Sequence, residues 1–287
     1  KMEKGKFSLL DDVKNVNIGN QVPVTLSVGI GLGTDTYTNG YNYARVAIDL
    51  ALARGGDQVV VKSPQGIKYY GGKHEHTSKN TRVKARVKAE ALREFMMSKE
   101  RVMIMGHKMT DVDSFGAAIG IYKAAASLEK KVNIVVNDIS VSVRPFYEAF
   151  KNNPAYPENL FINSHEAELI ADENTMVVVV DTNKPKLTEC ERLLKLTKTI
   201  VVLDHHRKGD EVIENAVLSY IEPYASSACE MVAEVLQYFQ EGFKLEAREA
   251  DCIYAGILID TNNFMTKTGV RTFEAAAYLR RSGAEVT

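Results

Sequence analysis

Four short apolar runs of this chain each lead into groups that can bind a cation or move a proton. VMIM is followed by Gly106-His107 and then by Asp111 and Asp113; VVVV by Asp181; IVVL by Asp204, His205 and His206; AGILI by Asp260. A single such residue after an apolar run is an ordinary turn former or helix N-cap. Gathered at one edge, the same carboxylates would repel one another and raise each other's pKa, and a bound cation is the natural way to hold them ionised. Carboxylate mixed with imidazole, without thiolate, suits Mn²⁺ or a similar borderline-hard ion better than Ca²⁺ or structural zinc. Two such ions about 3.5–4 Å apart are the usual device for in-line displacement at phosphorus.

The elements that must bring these residues together alternate in type. Strands are expected at 102–105, 131–136, 176–180 and 198–203, with helices over 113–128 and near 189–196. Buried apolar runs separated by helices are the pattern of an α/β domain with a doubly wound, mostly parallel sheet. In such sheets ligands bind in the crevice beyond the carboxyl ends of the strands, which is where the polar residues fall.

Upstream, residues 25–30 read as a strand, 41–54 as a helix with Ala44, Ile48, Ala51 and Leu52 on one face, and 58–62 as another strand. Gly29, Gly31 and Gly33 read as a strand-end loop rather than a dinucleotide loop, because the TDTYTN that follows is not expected to open a helix. Gly55, Gly56 and Asp57 read as a helix-terminating turn. Between 79 and 101 stand eight Lys or Arg and three Glu, with Ala85, Ala89, Leu92 and Met96 at helical spacing, so a basic amphipathic linker helix with a solvated charged face is expected. His74 and His76 have no further ligands nearby in sequence and read as an exposed loop.

The whole chain has 287 residues, 45% of them hydrophobic, and a net charge of −1. That is length for about two domains and no overall field for steering toward DNA or anionic lipid. Cys190, Cys229 and Cys252 form no CxxC pair, which fits a reducing, cytoplasmic compartment. No apolar run reaches the roughly 20 residues that a membrane helix needs. Both ends read as cuts through a larger protein.

GHKMTDVDS, VVVVDTN, LDHH and AGILIDTNNF match in order the four motifs of the DHH phosphoesterase superfamily. VTLSVGIGLG followed by ALARGGDQVVV resembles the C-terminal half of a GGDEF domain, without the hairpin that carries cyclase activity. The combination resembles the membrane-anchored cyclic-di-AMP phosphodiesterases of Gram-positive bacteria. It implies part of a degenerate GGDEF-like α/β domain over 1–73, a basic linker helix over 74–101 and a DHH domain over 102–287, with a DHH-associated domain to follow. It also implies an enzyme at the cytoplasmic face of the membrane, anchored through segments not in this chain. The enzyme would be homodimeric, with no DNA partner, and would hydrolyse a cyclic dinucleotide to 5′-pApA.

Carried onto this sequence, the resemblance implies one Mn²⁺ on His107, Asp111 and Asp181 and a second on Asp113, Asp181, His205 and Asp260. Asp204 would orient His205 or His206, His206 would meet the scissile phosphate or protonate the leaving oxygen, and a water between the ions would be the nucleophile. DHH pyrophosphatases and nanoRNases share much of this set, and a nucleotide-binding module that has lost catalysis is a rival of another class. Ser226 and Ser227 precede Ala228, Cys229 and Glu230, and SACE reads as a capping box with room for phosphate contact. Arg144 and Arg207 suit either phosphate or surface ion pairs, Asn183, Asn262 and Asn263 suit Asx turns, and Cys252 reads as core.

Overall fold

The computed structural model describes residues 7–14, 24–53, 56–71, 77–209 and 211–285. The chain divides into two compact units, residues 1–80 with 264–269, and residues 81–263 with 270–287.

The first unit runs α1 (Leu9–Lys14), β1 (Val28–Gly31), α2 (Tyr37–Ala53), β2 (Gln58–Ser63) and β3 (Gly66–Gly71). β1 pairs parallel to β2, and β2 antiparallel to β3. Alternation along β2 sends Val59 and Val61 to Phe7 and Leu10 on one face, and Val60 to Ala47 and Ala51 of α2 on the other. Two expectations fail here. The TDTYTN segment does open a helix: Thr36 Oγ1 accepts the N–H of Asn39 at 3.2 Å and the Thr36 carbonyl accepts that of Gly40 at 3.0 Å, a hydroxyl cap for α2. Gly29 and Gly31 lie inside β1, not in a loop, and serve packing. A Cβ on Gly29 would come within 2.3 Å of the Ala44 oxygen, and one on Gly31 within 2.2 Å of the Gly40 oxygen. Gly56, at φ +73°, ends α2 by donating to the Ala51 carbonyl at 2.9 Å. Gly55, His74 and His76 lie outside the described residues.

The second unit takes most of α3 (Thr77–Met97), then β4 (Arg101–Met105), α4 (Val112–Ala126), β5 (Lys131–Val135), α5 (Arg144–Lys151), β6 (Phe161–Ile162), α6 (Ser164–Ile170), β7 (Thr175–Val180), α7 (Leu193–Leu196), β8 (Thr199–Asp204), β9 (Leu218–Ile221), α8 (Ala228–Leu236), α9 (Ala247–Asp260) and α10 (Val270–Arg281). The strands form one sheet in the order β6-β5-β4-β7-β8-β9, every pairing parallel. β4 and β7 are neighbours although β5 and β6 intervene in sequence, so the chain reverses its direction of winding between them. The crevice at their carboxyl ends is the position where open α/β sheets bind ligands. β7 and β8 are buried along their whole length, as strands covered on both faces must be.

α3 buries Ala85, Ala89, Leu92 and Met96. Its basic face is not wholly solvated: Lys88 Nζ donates to the Ser219 carbonyl of β9 at 3.3 Å and Lys84 lies 3.8 Å from Glu222. The helix expected near 189–196 shrinks to α7. Glu189 is pulled out of it because its N–H bonds the Gly106 carbonyl at 3.0 Å and its buried carboxylate accepts from Thr110 and Asn137. Among the described residues, no helix is long and apolar enough to cross a membrane.

α4 crosses α9 and α8 closely. A Cβ on Gly116 would sit 2.7 Å from the Cys252 oxygen and 2.8 Å from Cys229 Sγ. Gly116→Val is therefore expected to destabilise the protein by about 1–3 kcal/mol through overpacking. A lowered urea midpoint with unchanged slope would show it, and an unaltered midpoint would contradict it.

Candidate metal centre

The turn after β4 carries His107 and passes through Met109 at φ +58° into α4, whose N-cap is Asp111 with Oδ1 accepting from Ser114 N at 2.9 Å. That cap leaves Oδ2 of Asp111 toward His107 Nε2, 3.5 Å away. Asp113 stands in the first turn of the helix and is 1% exposed. Asp181 is the residue just beyond β7, with φ +58°, a left-handed conformation that Asp tolerates better than most residues. β8 ends in Asp204 and delivers His205 and His206 directly after it. Asp260 is not at a strand end: it is the last residue of α9, which brings it to the same crevice.

These side chains meet. His107 Nε2 lies 3.4 Å from Asp181 Oδ2, and His205 Nε2 lies 3.3 Å from Asp181 Oδ1, 3.6 Å from Asp260 Oδ2 and 3.8 Å from Asp113 Oδ2. Asp181 thus faces His107 with Oδ2 and His205 with Oδ1, which also lies 3.6 Å from His206 Nδ1. The ligand atoms of His107, Asp111 and Asp181 lie within 4.8 Å of one another, as do those of Asp113, His205 and Asp260, and those of Asp181, His205 and His206. Oδ1 of Asp181 is buried with no donor in hydrogen-bonding geometry, the signature of an oxygen that a cation would satisfy. Carboxylates and imidazoles in this number and spacing fit one or two divalent ions.

The field inside the cluster shifts the proton affinity of its members. Hydrogen bonding to Asp111 and then to Asp181 raises His107 to about 11. Burial depresses His205, but contact with Asp181 and the charges of Asp113, Asp181 and Asp260 outweigh it and raise the ring to about 9. Burial, reinforced by the charges of Asp181 and Asp260, pushes Asp113 up to about 8. Burial works to raise Asp181 too, yet its contacts with His107 and His205 carry it below the usual carboxylate range.

Asp204, fully buried, accepts from the His206 amide at 3.1 Å and lies 2.9 Å from its Nδ1, which raises His206. Asn183, read as a turn former, does more: its Nδ2 donates to Asp204 Oδ2 at 2.5 Å and to the His206 carbonyl at 3.3 Å. Ser227 is the N-cap of α8, its Oγ accepting from Glu230 N at 3.0 Å. The expected capping box is only half made, because Glu230 reaches back to Ser226 rather than to the Ser227 amide; Ser226 Oγ donates to Glu230 at 2.5 Å. Both hydroxyls are buried and turned inward. Arg207 and Arg144 are exposed.

An α/β unit whose parallel strands deliver acid and imidazole to a switch-point crevice has a ligand site built to hold divalent cations. The chain belongs to the DHH family, whose N-terminal domain profile matches residues 101–257. The profile of the cyclic-di-AMP phosphodiesterase GdpP-like GGDEF domain matches residues 1–69. The chain is 45% identical over 289 residues to the cyclic-di-AMP phosphodiesterase GdpP of Bacillus subtilis (strain 168), covering 99% of this chain and 43% of that protein. It is 38% identical over 288 residues to the cyclic-di-AMP phosphodiesterase PdeA of Listeria monocytogenes, covering 99% and 44%. The chain therefore spans less than half the length of either relative. Its fold is similar to that of an exopolyphosphatase-related protein from Bacteroides fragilis, with a TM-score of 0.58 and 18% identity over 70% of this chain and 58% of that one.

Groups whose pKa is raised by folding add stability below their ordinary value and lose it as pH climbs to the folded value. For Asp113 that window runs from 3.8 to about 8, for His205 from 6.5 to about 9 and for His107 from 6.5 to about 11. Metal-free protein is expected to melt at progressively lower temperature between pH 6.5 and 9. Near neutrality, binding of a divalent cation is expected to expel protons from the imidazoles, so that the calorimetric heat depends on the buffer's ionisation enthalpy. A flat melting profile and a buffer-independent heat would contradict this picture.

Proposed function

We propose that the chain is the hydrolytic part of a Mn²⁺-dependent phosphodiesterase that opens cyclic di-AMP to 5′-pApA. The observation that carries the reading is the pair of histidines, His107 and His205, facing opposite oxygens of the buried Asp181. That both relatives, aligned over 99% of the chain, are cyclic-di-AMP phosphodiesterases supports the substrate.

His107, Asp111 and Asp181 would hold one ion, and Asp113, Asp181, His205 and Asp260 the other. Bound there, the ions would supply Lewis acidity, activating a water and neutralising phosphate charge. The chain's own residues do the rest. Asp204 engages Nδ1 of His206, so Nε2 of that exposed ring is left for the cleft, and the raised pKa keeps a proton available there for a leaving alkoxide. Asn183, by binding both Asp204 and the His206 carbonyl, restrains the ring. Arg207, exposed next to His206, would meet phosphate at the mouth. Ser226 and Ser227 act on the substrate only indirectly in this reading, through the α8 corner they stabilise.

The resemblance-based partition stands with it as part of the proposal: a GGDEF-like regulatory segment over 1–73, a linker over 74–101 and the catalytic domain from 102. The parent protein would be a membrane-anchored homodimer working at the cytoplasmic face.

The protein that carries this sequence, given Mn²⁺, is expected to hydrolyse cyclic di-AMP in preference to short RNA or pyrophosphate. Preference for either competitor would reject the substrate. Asp181→Asn keeps size and tolerates the left-handed backbone. It is expected to lower turnover on the order of a thousandfold, the several kcal/mol that metal assistance contributes, while circular dichroism stays unchanged. Undiminished hydrolysis in that variant would reject the metal assignment.

A further inference from the structure

Asp113 is not oriented by its own helix. Its Oδ2 accepts the N–H of Ala228 at 2.7 Å and its Oδ1 that of Cys229 at 2.9 Å, the two amides that open α8. With an amide donor on each oxygen the carboxylate is held in place, its Oδ2 3.8 Å from His205 Nε2 and grouped with the ligand atoms of His205 and Asp260. Whatever fixes the start of α8 therefore fixes Asp113.

Glu230 does this. It is 1% exposed, and its Oε2 receives Ser226 Oγ at 2.5 Å, Ser226 N at 3.4 Å and Thr272 Oγ1 of α10 at 2.6 Å. A carboxylate so buried needs an opposite charge. Arg271 provides it, with Nε 3.7 Å from Glu230 Oε1 while its fork bonds Glu234 at 2.7 and 2.6 Å. The helix corner that holds Asp113 is thus pinned to α10 by one buried acid.

We propose that Glu230 is a positioning residue for the metal centre, tying the Ser226–Ser227 corner to Thr272 so that the amides of Ala228 and Cys229 aim Asp113 at its cation. The proposal rests on the metal-binding reading given above. Removing the acid frees the corner, and the ion must then reorder it on binding. Residues that orient metal ligands from behind are worth about 10–100-fold in metal affinity.

The test is a Mn²⁺ titration followed by calorimetry and by the EPR signal of free Mn²⁺, without substrate. It compares wild type, Glu230→Ala, Glu230→Gln, Ser226→Ala and, as a stability control outside the hydrogen bonds of the corner, Phe150→Ala, whose buried ring packs on Phe115 and Tyr156. Glu230→Ala is expected to weaken binding about 10–100-fold. Glu230→Gln, which keeps an oxygen for Ser226 and Thr272 but not the charge, should recover part of the loss, and Phe150→Ala should bind as wild type does. Ser226→Ala removes one hydroxyl and leaves the charge pair intact, so it tests the same link should Glu230→Ala fail to fold; weakened binding supports the proposal and wild-type binding rejects it. Wild-type affinity in Glu230→Ala, or an equal loss in Phe150→Ala, overturns the positioning role alone. A wild type that binds no Mn²⁺ overturns the metal reading as well.

Discussion

One buried carboxylate, Asp181, sits between two imidazoles, and the second unit is arranged around that contact. Left to itself, a carboxylate 3% exposed and within reach of other acids would take up a proton or leave the interior. His107 on one oxygen and His205 on the other keep it ionised. Each histidine is in turn raised by the acids around it, so the cluster is a set of charges none of which is stable without the rest. A divalent cation answers the same electrostatic demand more completely than protons do, because it faces several carboxylates at once.

The fold supplies this contact by topology. β7 lies between β4 and β8, so three adjacent strands end at one edge and contribute His107, Asp181 and the Asp204–His206 run. Helices complete it from both sides: the N-terminus of α4 brings Asp111 and Asp113, and the C-terminus of α9 brings Asp260. Close crossing of α4 with α9, made possible by Gly116 and Gly256, is what lets Asp113 and Asp260 approach the same imidazole. The backbone bends at Met109 and Asp181 are local costs carried by the rigid elements around them.

Much of this was legible in the residues. Apolar runs of strand length ending in Asp or His located the crevice, and the periodicity of the α3 segment identified its buried face. What escaped was set by tertiary contact. β6 has two residues and β9 four, too short for alternation to show. Glu189 has ordinary helix propensity, yet Thr110 and Asn137 capture it as a buried acceptor. The TDTYTN helix start was masked by Asn39 and Gly40, although Thr36 is a good cap. Asn183 and Glu230 belong to types that serve turns and caps everywhere, and only their partners in space, Asp204 and His206 for one, Ser226 and Thr272 for the other, separate them from that background.

The claim that Asp181 is shared is most directly tested by anomalous diffraction at the manganese edge from crystals of the Mn²⁺-loaded protein. Two peaks about 3.5–4 Å apart are predicted. One should fall among His107, Asp111 and Asp181, the other among Asp113, Asp181, His205 and Asp260. A single peak remote from Asp181, or none in the crevice, would contradict the account.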